Sequence, residues 1–311
     1  MERELRVKEQ SQAVHALPVK LKKNDTIESA FRRIARNCLV QVHGNERGVG
    51  SGHDASCVHQ MRVGLRRLRS AFDLFEGVVS TPSFLQEELR WIAGELGAAR
   101  DWDVMLNSTL RTAFDGAPGD TDTGAVAQAA ADIGKRNRAA AAAAVGSARY
   151  TRLAMELTRW VDEAGWREEM NGDELAALDR SIEAFAGETL RKRHRKLIKR
   201  GRHLPDLDAQ RRHRARIAAK KLRYATEFFG SLYPSEVVRH YLQALGKLQD
   251  DLGWRNDVAV GEGLLKGLAS DHEQTAAGVA YARGYLASRV AADHDSLKKL
   301  WKRFRRLSPP H

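Results

Sequence analysis

Apolar positions recur at three- and four-residue intervals along almost the whole chain, the spacing of helices that bury one face. The pattern predicts a first helix opening at Asp25, with Glu28 three residues later as in a capping box, and running to His43. The glycine-rich stretch Gly44–Gly52 reads as a flexible connector. Asp54 caps a second helix reaching Val78, and Thr81–Pro82 supplies the N-cap and first residue of a long helix to Phe114. Asp115–Gly124 interrupts the pattern, and an alanine-rich helical stretch with at least one bend continues to Gly165. The second half has the same rhythm. Helical periodicity runs from Asp173 to His203 and breaks at Pro205, then from Asp208 to Leu232 with a stop at Tyr233–Pro234. A further helix reaches Ala269, and a last one spans Asp271 to Leu307. About eight helices and no convincing strand make an all-α protein, for which two four-helix bundles are the simplest packing.

The shared rhythm is an internal duplication. His59-Gln-Met-Arg62-Val-Gly-Leu-Arg66-Arg67-Leu-Arg69 matches His213-Arg-Ala-Arg216-Ile-Ala-Ala-Lys220-Lys221-Leu-Arg223 at a constant offset (213 − 59 = 154). Leu96-Gly97-Ala-Ala-Arg100-Asp101 matches Leu252-Gly253-Trp-Arg-Asn256-Asp257 two residues later in register (252 − 96 = 156). A repeat of this kind says that both halves use the same helix pair. The expected organisation is a polar N-terminal arm over 1–23, a first four-helix half over 24–168 and a second over 169–311.

Composition adds a partner to this picture. The 311 residues carry 52 Lys+Arg against 40 Asp+Glu, a formal charge of +12, which calls for an acidic ligand. The excess is local. Between Glu188 and Arg223 there are 15 Lys or Arg and three acids, so this window alone nets 15 − 3 = +12. Cys38 and Cys57 stand apart without a CxxC pair, and there is neither an export signal nor an apolar run of membrane length. These features lead us to expect a cytoplasmic protein in a reducing compartment.

On the helix from His59, at 100° per residue, His59, Arg62, Arg66 and Arg69 fall within an arc of about 80°. Met61, Leu65, Leu68, Phe72 and Phe75 fall on another arc, roughly 120° or more away, and Arg67 lies off the basic stripe. The second copy repeats the stripe with His213, Arg216, Lys220 and Arg223, and Lys221 takes the flanking place. Like charges on adjacent turns cost a few tenths of a kcal/mol per pair, a cost that phosphates would remove. Arginine forks hold phosphate oxygens bidentately, lysine acts as a mobile point charge, and a histidine beside phosphate gains a raised pKa.

These two His/Arg strings, with the Leu-Gly-x-x-Arg-Asp-x-Asp-Val run at 96–104, resemble the CHAD domain, the conserved histidine α-helical domain, over residues 24–307. The resemblance implies two four-helix bundles related by a pseudo-twofold axis, a basic central groove or pore, binding of inorganic polyphosphate and association with polyphosphate granules. Carried over by position, the ligand contacts are His59, Arg62, Arg66, Arg67 and Arg69, with His213, Arg216, Lys220, Lys221 and Arg223. Basic residues of the preceding helices join them: Arg32, Arg33 and Arg36, then Arg191, Arg193 and Lys196. Asp101 and Asp257 are expected to hold arginine side chains of the neighbouring helix rather than to act as catalytic carboxylates. Many family members carry an attached CYTH catalytic domain; with 23 residues ahead of the bundle, that module is not expected here.

No cofactor or metal is expected. HExxH and similar ligand spacings are missing, the Gly48–Gly52 loop lacks the Lys-Ser/Thr ending of a P-loop, and no nucleophile–base set can be assembled. The reading is therefore non-catalytic polyphosphate binding. The alternatives are a general nucleic-acid binder, whose stacking aromatics are not interleaved with the stripes, and a polyphosphate-processing enzyme using His59 or His213.

Overall fold

The computed structural model describes residues 12–52, 54–119, 121–292 and 294–311, so the part of the polar arm before residue 12 lies outside the described residues. These residues form helices and turns, and the pairing Thr26–Ser181 is an isolated β-bridge. The chain divides into two compact units. One holds the described residues up to Arg100 together with Lys135–Ile182; the other holds Asp101–Gly134 together with Glu183–His311.

The first unit is built on α1 (Ile27–His43) and α3 (Ala55–Phe75), packed along their apolar faces. Ile34, Ala35 and Cys38 of α1 and Met61, Leu65 and Leu68 of α3 are all buried. Gly64 permits the close approach: a Cβ there would lie 2.9 Å from Val42 Cγ2 and 3.2 Å from the Val42 backbone nitrogen. The N-cap of α1 is Thr26, whose hydroxyl accepts from the Ser29 amide. Asp25, expected in that place, instead takes the Lys22 amide and the Arg33 guanidinium. Asp54 does cap α3, accepting from the Ser56 and Cys57 amides.

The Gly44–Gly52 stretch is not a flexible connector. It contains the short helix α2 (Glu46–Gly50), whose Val49 is buried. Glu46 anchors it by accepting from the Tyr150 hydroxyl at 2.5 Å and pairing with His43 Nδ1 at 2.6 Å. Glycine content suggested mobility, but one carboxylate holds the segment through a local contact with His43 and a long-range one with Tyr150. The described part of the arm is likewise packed, with Val19 and Leu21 buried and Val14 exchanging backbone bonds with the Asn45 side chain.

Helices α4 (Ser83–Val104), α6 (Thr123–Val145) and α7 (Ala148–Asp162) follow. On α7, Trp160 joins Trp166, Phe31 and Phe72 in edge-to-face contacts with ring centroids 5.0–6.1 Å apart. Glu28 ties this cluster down. Its carboxylate accepts from Arg167 Nε and Nη2, both at 2.6 Å, and from Trp166 Nε1 at 3.0 Å. The Arg167 pairing outweighs the desolvation of the site and holds the Glu28 carboxyl below its ordinary pKa.

The second unit rests on α9 (Ile182–Arg200), α10 (Ala209–Phe229) and α11 (Ser235–Asp271). Asp208 caps α10 as expected. Before α9, however, the helix predicted from Asp173 is split. Asn171 and Glu174 form a capping box for α8 (Gly172–Leu178), and the chain then turns into the bridge at Ser181. A further core gathers Trp102, Met105 and Leu110 with Leu265, Leu268 and Val279. Met105–Leu110 is a π-helical stretch. Its wider turn brings residues five apart onto one face, so Met105 and Leu110 can enter the same core. The remaining helices are α5 (Arg111–Phe114), α12 (Ala276–Ala292) and α13 (His294–Phe304). No helix is long and apolar enough to cross a membrane among the described residues.

Candidate polyanion site

Helices α3 and α10 are both 21 residues long and begin and end at one offset (209 − 55 = 154; 229 − 75 = 154). Each places its basic stripe beside a buried apolar face, and the two stripes have different surroundings.

On α3, Arg69 is exposed, while His59, Arg62 and Arg66 are half-buried. Arg62 reaches over α4, where Nη1 donates to the Ala93 carbonyl at 3.1 Å. Gly97 makes room for it: a Cβ at Gly97 would stand 2.6 Å from Arg62 Nη1. The glycine of the Leu-Gly-x-x-Arg-Asp string is thus the floor of an arginine slot. His59 has its pKa pushed down to about 4, first by desolvation and then by the cations of Arg100, Arg66 and Arg62. In the free protein this imidazole is neutral at pH 7, opposite in direction to the shift expected beside phosphate. A bound anion would offset the arginine part of this shift and so raise the pKa from its value in the free protein, with the burial part remaining.

On α10, His213 is exposed, and its Nδ1 lies 2.9 Å from Asn256 Oδ1. An Nδ1–H donated to that oxygen turns Nε2 outward. Arg216 Nη2 is 3.9 Å from Asp257 Oδ1, an ion-pair distance beyond hydrogen-bond range. Arg223 donates from Nε to Glu227 Oε1 at 2.7 Å and from Nη1 to Gln249 Oε1 at 3.3 Å. Lys220 is half-buried between these arginines in the sequence of the stripe. Asp101 is half-buried on α4, one residue beyond the boundary between the units.

Several predicted contacts are reassigned by their surroundings. Arg67 is 3% exposed. Its Nη1 donates to Gln41 Oε1 and its Nη2 to Asn37 Oδ1, both at 3.1 Å, which makes it a core residue and removes it from any ligand surface. Arg33 and Arg36 are engaged with Asp25 at 2.8 Å and Asp162 at 2.7 Å, and Arg32 lies over the Trp166 ring at 5.7 Å. These contacts tie α1 to its own unit, while Arg33 and Arg36 remain exposed to solvent. Arg191 is exposed near Gly187 and Tyr233. Arg193, Lys196 and Lys221 come together in a cleft that also takes in Arg200 and Arg214, neither of which is among the ligand contacts expected from sequence. The missed signal was register: Arg193, Lys196 and Arg200 are spaced to share one face of α9. No group of three or more His, Cys, Asp or Glu able to hold a metal occurs among the described residues.

The CHAD domain family model matches residues 33–266. The chain belongs to the CHAD domain family. A crystal structure of the CHAD domain from the plant Ricinus communis is similar at 39% identity with a TM-score of 0.82, covering 96% of this chain and 98% of that one. PptA from Streptomyces chartreusis has the same fold at 14% identity and a TM-score of 0.66, covering 89% of this chain and 100% of that one. No curated protein matches in sequence. The CHAD assignment accounts for the paired helices α3 and α10 and for the histidine at the fifth position of each.

Proposed function

We propose that this CHAD protein is a non-catalytic binder of inorganic polyphosphate, held by the stripes His59–Arg62–Arg66–Arg69 and His213–Arg216–Lys220–Arg223, with association with polyphosphate granules as the consequence. The observation that carries the reading is the recurrence of one cationic stripe, with the same histidine, on two helices of identical length. Along each helix several cations face one run of phosphates, so the contacts made by a linear polyanion add up on each stripe. Asp257 serves as a positioning partner of Arg216, and Asp101 is assigned the corresponding place in the first half.

The aromatic side chains of the same helices favour polyphosphate over single-stranded nucleic acid. Phe72 and Phe75 on α3 and Tyr224, Phe228 and Phe229 on α10 are all buried, the most open at 7% exposure. Neither helix offers an exposed phenyl or phenol ring on which a base could stack. What the stripes offer is guanidinium and imidazole, with one ammonium at Lys220, all suited to phosphate oxygens.

The test is binding of labelled long-chain polyphosphate at about 150 mM salt, with DNA and RNA as competitors matched in phosphate. Arg66→Glu combined with Lys220→Glu should abolish binding and leave the helical circular dichroism unchanged. Normal binding by the double variant, or equal competition by nucleic acid, would overturn the proposal.

A further inference from the structure

Along the sequence no nucleophile–base set can be put together, yet the first unit assembles one from three elements. His43, at the end of α1, turns Nδ1 to Glu46 Oε1 at 2.6 Å and Nε2 to Thr158 Oγ1 of α7 at 3.3 Å. Glu46 Oε1 also accepts from the Tyr150 hydroxyl at 2.5 Å. Hydroxyl, imidazole and carboxylate in that order are an activated nucleophile, its base and the group that orients the base. The hydroxyl contact is at the long end of the range, as such pairs are before a substrate tightens them.

The protons of this chain are fixed by the carboxylate, which only accepts. Burial would raise the Glu46 pKa, but the hydrogen bonds from His43 and Tyr150 outweigh it and hold the carboxyl below its ordinary value, ionised at pH 7. Burial, and then Glu46 itself, push the Tyr150 pKa up, so that hydroxyl keeps its proton and donates it. Facing a carboxylate, the neutral form of the His43 imidazole carries its proton on Nδ1, which leaves the Nε2 lone pair for Thr158. The Thr158 hydroxyl therefore donates to Nε2, the contact through which a base removes a proton.

Holding α2 in place does not call for this arrangement, since Glu46 is already tied to Tyr150. The second half carries no acid between Glu188 and Asp206, so the duplicated framework does without a His–Glu pair at the end of α9. The surroundings suit a substrate. His43 and Thr158 are both half-buried. Val40, one turn before His43 on α1, is 55% exposed, and Met155, one turn before Thr158 on α7, is 68% exposed. Residues three apart share a helix flank, so exposed apolar side chains border the base on one side and the hydroxyl on the other. Asp162, one turn after Thr158, holds Arg36 at 2.7 Å, which sets a guanidinium along the same seam to offset negative charge on a carbonyl oxygen.

We propose that Thr158, His43 and Glu46 form an acyl-transfer site that hydrolyses esters of short aliphatic acids. The Thr158 oxygen attacks the ester carbonyl carbon as its proton passes to His43 Nε2. The bond from that carbon to the leaving oxygen then breaks, and Nε2 returns the proton to the departing alcohol. Water next attacks the acyl-Thr158 ester, giving a proton to Nε2, and the acid departs as that proton restores the Thr158 hydroxyl. Water is the co-reactant, and no oxidant or reductant is needed. Glu46 acts as a positioning residue that keeps the base in the required tautomer, and Val40 and Met155 provide an apolar margin for the acyl chain. This activity goes beyond polyanion binding and uses none of the stripe residues.

Hydrolysis of p-nitrophenyl acetate by the full chain tests the proposal, read by release of p-nitrophenolate and, after rapid quenching, by the mass of the peptide that contains Thr158. The unmodified chain should carry an acetyl group on Thr158. Thr158→Val keeps the shape of the side chain without its hydroxyl, and thermal melting checks that it folds. Its kcat should fall by about tenfold or more, whereas Thr158→Ser, which supplies the same oxygen, should stay within about threefold of the unmodified chain. Glu46→Gln should lower kcat and leave KM within about twofold, because the ester meets Thr158 and not Glu46. If Thr158→Val hydrolyses the ester like the unmodified chain, or acetyl groups form only on other side chains, the cluster is structural and the proposal fails. It fails equally if Thr158→Ser loses as much activity as Thr158→Val, or if Glu46→Gln keeps the full kcat.

Discussion

Gly97→Ala separates the positioning of Arg62 from the stability of its helix. The new Cβ would stand 2.6 Å from Arg62 Nη1, against an ordinary contact of 3.4 Å, so the guanidinium must retreat by at least 3.4 − 2.6 = 0.8 Å. That movement breaks or stretches its 3.1 Å bond to the Ala93 carbonyl. Losing a charge-assisted hydrogen bond costs about 1.5 kcal/mol, while replacing a helical glycine by alanine returns about 0.5–1 kcal/mol. Net stability should change by less than about 1 kcal/mol, a Tm shift within about 4 °C. Polyphosphate affinity should fall more visibly, by about fivefold for the misplacement of one phosphate-facing arginine worth about 1 kcal/mol.

The second copy supplies the control. At Gly253 a Cβ meets nothing within 4 Å, so Gly253→Ala should raise Tm by about 2 °C and leave binding unchanged. The assays are thermal melting and titration with labelled long-chain polyphosphate at fixed salt. In an Arg62→Ala background, Gly97→Ala should have no further effect on affinity, because the interaction it disturbs is already gone. Equal behaviour of the two alanine variants, or full additivity with Arg62→Ala, would refute the arginine slot.

Arg67→Met should destabilise the first unit by about 2–3 kcal/mol, because Gln41 and Asn37 lose a buried donor; affinity per folded molecule should be unchanged, and a binding defect without a Tm loss would return Arg67 to the ligand surface. His59 titrates near pH 4 in the fold against 6.5 for the free side chain. The unfolded chain therefore takes up its proton first, and stability present above pH 6.5 is lost as pH falls towards 4. Bound phosphate should raise the same pKa, so binding should tighten on acidification; His59→Gln should flatten both profiles, read by melting and by titration across pH 4–7. The slope of log affinity against log salt should become shallower by roughly one counterion for each stripe arginine replaced by glutamine, and an unchanged slope would place that arginine away from phosphate.

Much of the fold was legible because its signals are local. Asp54 and Asp208 cap their helices through their own side chains, and the 154-residue repeat is visible as a string of identical and similar residues. What sequence could not give was the partner of each cation. Arg62, Arg66 and Arg67 are near neighbours in the chain, yet one lies in a glycine slot and another is sealed in the core by amides 26 and 30 residues away. Periodicity did place Arg67 off the stripe. Whether off-stripe meant solvent, cleft or core depended on Gln41 and Asn37 of another helix. The same limit hid Arg200 and Arg214, which look like scattered surface charge until α9 and α10 are set side by side. The Gly44–Gly52 segment failed differently, since glycine frequency says nothing about a carboxylate that a distant tyrosine will hold.

The duplication conserves backbone more closely than environment, and that difference has chemical consequences at the two histidines. Each is the fifth residue of a 21-residue helix. About one turn into the partner string, however, the first copy has Arg100 where the second has Asn256. Burial desolvates the His59 imidazole and the neighbouring guanidiniums, Arg100 first among them, add to the opposition to its protonation, so it is held neutral near pH 7. An amide oxygen beside an exposed imidazole fixes one ring nitrogen and leaves the other facing outward, as at His213. A bound anion would offset the arginine share of that opposition at His59 and leave the share due to burial, while the His213 ring is already fixed by its contact with Asn256. A phosphate chain on the first stripe would favour the charged form of His59 as it bound, which makes binding there more sensitive to pH than the count of arginines alone implies.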